Sequence, residues 1–481
     1  MLSNGGRSAT MSGVIRIVAR VFLAELFLVC VYRAITQSIT HDEALTWELY
    51  LHGPASAMFQ HFDANHHFLN TILMRISVFI FGVSEWSLRL PALAGAALYF
   101  TAVDRLARFF GDRWAYLMAV LLMALNPFVL DFMVAARGYG MALALWMWAL
   151  ALIAEQQPKR ALLAGTALAL SVTANLVFLP PAAALAAMAI YLLTKRAPAP
   201  EASKKKRATQ SSGVAPWILF SVPSAAIAIL YVLLAPVENA SMENFYVGAG
   251  TLAESVRSLT RVSLAHSGPY RDVHWNEVWR DAVGFWIVPL IVAAGLVVGY
   301  RKRDVLLLLC SGTMVISAAG LVALHVLFDR PYPADRTGIY FLPLTGLLLA
   351  GLAHREKFAS IVSYALGLAI VAQFATEFNT RKFLLWEYDA DTRSIAQAIS
   401  SHRDTNTPVV HAGASWQLSE ALYFYASKYG WSWLEITNKP APGLDFYALV
   451  AEDRGLEPGL GVAEIYEGPV SHSVLAAPKG R

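Results

Sequence analysis

Cysteine is nearly absent: only Cys30 and Cys310 occur in 481 residues, both inside apolar runs. Neither a disulfide framework nor a thiolate metal site fits that usage. Charge is scarce too, at 15% of residues, and its balance of 38 Lys and Arg against 34 Asp and Glu leaves a net +4. That balance gives no footing for nucleic-acid binding. The chain also has no GxGxxG, GxxxxGK[ST] or HExxH stretch, so nucleotide phosphate loops and zinc-protease helices are excluded. What is abundant is apolar: 57% of residues are hydrophobic and the mean hydropathy is +0.48. One globular core cannot take up that much apolar surface, and the chain reads as an α-helical polytopic membrane protein.

Arg7, Arg16 and Arg20 precede about twenty apolar residues, a run too long for a signal-peptide core, so the first span is read as uncleaved. Runs of spanning length follow near 87–107, 114–130, 138–156, 160–176, 177–194, 217–235, 282–300, 304–327, 337–353 and 358–376, after the first at 15–37. The stretch 67–82 is shorter and holds Arg75. Basic clusters at Arg105/Arg108/Arg113, Lys159/Arg160, 195–207, Arg301–Arg303 and Arg355/Lys357 all fall on the cytoplasmic side only if 67–82 lies in the interface. The expectation is about eleven spans, a cytoplasmic N-terminus, interfacial helices in a first outer loop (38–86), and a cytoplasmic linker at 195–216 rich in Pro, Ser, Ala and Lys. Residues 1–376 form the membrane domain. Residues 377–481 alternate strand-like and helix-like patterns and read as a small extracytoplasmic α/β domain.

The first outer loop opens with Thr40-His41-Asp42-Glu43, a capping-box pattern, with Gly53-Pro54 as the stop. Glu43 then either caps the helix or shares in chemistry with Asp42. Asp63, Asn65, His66 and His67 follow in the same loop. Acids and imidazoles collected at one membrane face suit a reaction between a lipid-borne substrate and a hydroxyl acceptor. His66 and His67 point in different directions on a helix or strand, and no spaced His/Cys set accompanies them, so a metal is not supported. Two more outer residues are cationic: Arg137, beside Tyr139, and Arg336. Each can bind phosphate through its planar fork or extend into lipid headgroups.

Three stretches carry a resemblance: DEA at 42–44, NHHFLNTILMRISVFIFGVSEWSLRLPAL at 65–93, and ARGY at 136–139. The chain resembles bacterial membrane glycosyltransferases of the C-type fold, family 39-like, in the superfamily of protein O-mannosyltransferases, aminoarabinose transferases of lipid A and galacturonosyl transferases of lipopolysaccharide. The likeness covers 15–195 well and the rest loosely. It departs where many relatives have an acid two positions before the arginine, since this chain has Val134-Ala135-Ala136-Arg137, and where many have His-Pro-Pro against His66-His67-Phe68. The resemblance implies inverting sugar transfer from a polyprenyl-phosphate donor to a hydroxyl acceptor at the outer face of the inner membrane, in cell-envelope or lipopolysaccharide glycosylation.

Asp42 and Glu43 are then the catalytic candidates, Arg137, Arg336 and Tyr139 the phosphate-binding ones, and His66, His67 and Asp63 assisting groups, with no cofactor required. Tyr246, His266, Tyr270, His274 and Trp275 would cover the acceptor side. The rival reading is a multispan transporter or lipid-linked sugar flippase. It calls for ionisable residues at mid-membrane, and the spans between 137 and 200 hold almost none.

Overall fold

The chain is described by a computed structural model covering residues 4–60, 63, 65–194, 215–235, 248–264 and 274–479. The linker at 195–214 and Tyr246, His266 and Tyr270 lie outside the described residues, and of His274 and Trp275 only the helical backbone is described. The fold is mostly helical with one small sheet near the C-terminus. Each of the eleven apolar runs is helical: Asn4–Thr36, Glu85–Ala107, Arg113–Ala124, Tyr139–Ala154, Ala161–Ala174, Leu179–Thr194, Ala215–Leu234, Val288–Lys302, Val305–Phe328, Phe341–Arg355 and Lys357–Glu377.

Four helices are long and apolar enough among the described residues to cross a membrane: Glu277–Lys302, Val305–Phe328, Asp335–Arg355 and Lys357–Glu377. Shorter apolar helices include Phe68–Phe81, Arg113–Ala124 and Tyr139–Ala154. Arg113–Ala124, for instance, has 12 residues, about 18 Å at the helical rise, against a hydrocarbon core of about 30 Å. Asn126 splits that run: its side chain accepts from Val129 N–H and starts a new helix at Pro127, where proline is preorganised for a first turn.

Two compact units divide the chain. The first comprises 1–28, 94–133 and 138–378, and the second 29–93, 134–137 and 379–481. The first unit is helical and holds the four long apolar helices together with the amphipathic helix Leu252–Ser263.

The second unit joins segments far apart in sequence. Its sheet consists of β1 (Val410–Ala414), β2 (Leu434–Thr437), β3 (Phe446–Leu449), β4 (Val462–Glu467) and β5 (Val474–Pro478), in the order β2-β1-β3-β5-β4. β1 is parallel to both β2 and β3, whereas β5 runs antiparallel to β3 and β4. The helix Trp416–Lys428 links β1 to β2, as a parallel crossover requires. Its apolar side, with Leu418, Leu422, Phe424 and Tyr425, shares one core with Ile39, Ala44, Trp47, Tyr50 and Met74 of the first loop. Trp47 meets Phe424 edge-on, with ring centroids 5.3 Å apart. The C-terminal residues therefore complete their core with 29–93, where sequence patterning had set 377–481 apart as a domain of its own.

The helix Phe68–Phe81 has 14 residues, about 21 Å, and its two sides differ. One side buries Phe68, Thr71, Met74 and Ser77, and the other exposes Ile76, Phe79 and Ile80, with Phe79 at 90%. Arg75 donates to the carbonyls of Tyr50 at 2.7 Å and Gly53 at 2.9 Å. The charge that interrupts the run fixes the turn above it.

Candidate active site

Thr40 and Glu43 form the capping box that their spacing predicts. Thr40 Oγ1 accepts from Glu43 N–H at 3.3 Å, and Glu43 Oε2 accepts from Thr40 N–H at 3.0 Å. Glu43 is fully buried and does more than cap. Arg89, equally buried, donates to it from Nε at 2.9 Å and from Nη2 at 2.7 Å, and Ala136 N–H donates at 2.7 Å. Arg89 also gathers the carbonyls of Ala34 at 3.2 Å, Gln37 at 2.9 Å and Ser38 at 2.6 Å, two of them left over where the first helix ends. One arginine from the LRLP stretch thus ties the end of the first helix to the start of the helix His41–Trp47.

Asp42 lies one residue away and is placed differently. Its side chain keeps 13% exposure and forms an ion pair with Arg137 Nη2 at 3.3 Å, while Arg137 is 1% exposed. Arg137 also donates to Thr46 Oγ1 at 3.1 Å, to Asp42 O at 3.4 Å and to Asn65 Oδ1. Asn65 is positioned in turn by Asp63, whose Oδ1 accepts Asn65 N–H at 2.7 Å. Asn70 Nδ2 donates to Ala136 O at 3.2 Å. The three stretches DEA, NHHFLN and ARGY, widely separated in sequence, meet in one hydrogen-bonded cluster.

The C-terminal residues supply the rest of the setting. Asp389 Oδ2 accepts His41 N–H at 2.6 Å, a second cap on the same helix, and burial pushes the Asp389 carboxyl well above the ordinary carboxylate range. The His41 ring meets Trp416 edge-on at 5.4 Å and Gln417 O at 3.2 Å from Nδ1. Burial lowers its imidazole, against the pull of Asp42. Glu85 of the SE pair is held by Arg393 at 2.7 Å and Lys428 at 2.5 Å. Glu420 is pushed up to about 8 by burial and by its hydrogen bond with Glu48.

His66 stacks on Tyr50 at 4.2 Å, and both His66 and His67 are buried. Burial and the nearby Asp63 raise the Tyr50 hydroxyl. Among the described residues no group of three His, Cys, Asp or Glu side chains is gathered as a metal would need. Asp42, Glu43, Asp63, His66, His67 and Arg137 all belong to the second unit, whereas Tyr139 and Arg336 belong to the first. Tyr139 is buried, its ring 4.9 Å from Phe132. Arg336 sits half-buried in the turn Asp335–Gly338, entered through Asp335 N–H donating to Ser258 Oγ at 2.7 Å.

Sequence reasoning missed Arg89, Glu85, Arg393 and Asp389. Only Arg89 had a local signal: a charge inside an apolar run is costly unless paired.

The first unit also contains a cavity of about 520 Å³ with overwhelmingly apolar walls, including Leu125, Leu259, Val288, Met314, Leu342 and Phe374.

No family model and no curated protein sequence matches the chain. Among solved structures it is similar to ArnT from Cupriavidus metallidurans bound to undecaprenyl phosphate, at 13% identity and a TM-score of 0.44, over 95% of this chain and 97% of that one. It is also similar to the oligosaccharyltransferase of Archaeoglobus fulgidus in complex with Zn and sulfate, at 12% identity and a TM-score of 0.42, over 97% and 73% of the two chains. For the arabinosyltransferase EmbB from Mycobacterium smegmatis the figures are 12% identity, a TM-score of 0.36, and 79% and 42% of the two chains.

Proposed function

We propose that this protein transfers a sugar, with inversion, from a polyprenyl-phosphate donor to a hydroxyl acceptor at the outer face of the inner membrane. The eleven apolar helices would be its spans, with the N-terminus cytoplasmic, the helix Phe68–Phe81 in the interface and residues 377–481 outside. The observation that carries the reading is the contrast between two adjacent acids. Glu43 is fully buried with both oxygens bonded to Arg89, Ala136 and its own helix cap, while the Asp42 side chain reaches the surface at 13% exposure and is paired with a buried arginine.

Asp42 acts as general base. The acceptor oxygen attacks the anomeric carbon, the bond from that carbon to the phosphate oxygen breaks, polyprenyl phosphate leaves with the electron pair, and the acceptor proton passes to Asp42. Positioned base catalysis is worth about 10² to 10⁴ in rate. Arg137 pairs with Asp42 and aims its carboxylate. Arg336 and Tyr139 are the candidate phosphate ligands that their sequence positions suggest. The cavity, whose walls are mostly apolar, would hold prenyl chain.

The test uses membranes supplied with radiolabelled polyprenyl-phosphate sugars. Asp42→Asn is expected to lower transfer about 10² to 10⁴-fold at unchanged protein level, and Arg336→Ala to weaken it. Equal transfer by wild type and both variants would sink the reading.

A further inference from the structure

A second cavity, of about 360 Å³, is lined by Arg105, Arg108, Phe109, Glu155 and Arg160. All of these belong to the first unit. Arg105 donates to Glu155 at 2.8 and 3.0 Å, and Arg160 pairs with the same carboxylate. Arg108 pairs with Asp104, which also faces Arg20 at 3.3 Å and accepts from Tyr116 at 2.8 Å. Among the described residues, four guanidiniums thus share these two carboxylates, an excess of two positive charges. A guanidinium carries more N–H donors than one shared carboxylate can accept, so donors are left over for a ligand.

The arginines are held in place before any ligand arrives. Arg105 lies 4.8 Å from the Trp148 ring centroid, and Trp148 is fixed by its indole N–H donating to Leu98 O at 2.9 Å. Beyond the cavity the surface turns apolar: Leu162 and Leu163, just past Arg160, are 46% and 58% exposed. Clustered guanidinium forks suit phosphate, and the adjoining apolar surface suits acyl chains more than water.

We propose that this cavity binds the phosphate-diester headgroup of an anionic membrane lipid at the cytoplasmic side of the membrane. The proposal rests on the membrane topology given above, and it does not depend on sugar transfer. Basic pockets between spanning helices at the cytoplasmic side are where such headgroups bind.

Binding to the purified, delipidated protein in detergent is read by native mass spectrometry and by melting temperature, with phosphatidylglycerol, phosphatidylcholine and inorganic phosphate as separate arms. Phosphatidylglycerol alone is expected to bind and to raise the melting temperature, with affinity falling about tenfold or more in Arg108→Gln/Arg160→Gln. The single variant Arg108→Gln leaves the Arg105–Glu155–Arg160 cluster in place, keeps its fold, and should lose part of the affinity. Asp42→Asn should bind lipid as wild type does, which separates failure here from failure of the transferase reading. Equal effects of phosphatidylcholine, equal effects of inorganic phosphate, or unchanged binding in both arginine variants would each overturn the proposal.

Discussion

At the scale of single residues, the acids at 42 and 43 are separated by what reaches them. Glu43 is bonded by groups 46 and 93 positions away in the chain, and all of them are buried. A buried charge pair contributes little beyond a well-packed apolar alternative, yet removing one partner strands the other, at a cost of about 3–5 kcal/mol. Glu43→Gln and Arg89→Gln should therefore each lower the melting temperature and the yield of folded protein, whereas Asp42→Asn, which leaves Arg137 its bonds to Thr46 and Asn65, should lower melting less than either while transfer falls. A melting curve and a transfer assay on the same preparations check this. If Glu43→Gln melts like wild type and loses transfer, Glu43 takes part in the chemistry.

At the scale of elements, the helix His41–Trp47 is too short to persist alone and is held at its N-terminus by Thr40 and Asp389. The turn that follows it, Glu48–His52, brings Glu48 to the carboxyl of Glu420 on the helix Trp416–Lys428. A carboxyl raised from its ordinary value to about 8 binds its proton more tightly in the folded chain than in the unfolded one. Stability from this pair is then fully present below the unfolded value near 4.5 and is lost as pH rises towards about 8. The melting temperature of wild type should fall over that window. Glu420→Gln should flatten the fall and melt above wild type at pH 8, and a parallel decline in both proteins would show that the pair is not its source.

At the scale of the whole molecule, one hydrophobic core takes residues from 39–74 and from 395–477. A fragment of 379–481 expressed alone would expose Leu418, Leu422, Phe424 and Tyr425, and it should stay unfolded by circular dichroism; a cooperative melt of that fragment would refute the shared core. The sequence by itself determined what short-range physics controls. Apolar runs became helices because backbone polar groups in an apolar setting must be satisfied within the segment, Thr40 and Glu43 closed a cap across three residues, and Asn126-Pro127 broke a run. It also placed Asp42, Asn65 and Arg137 in stretches that proved to meet. Tertiary structure alone decided which acid is enclosed, because Arg89, Ala136 and Asp389 reach that helix only through chain folding. It likewise decided that the first loop and the C-terminal residues share a core, because an amphipathic face records that it will be buried without recording its partner.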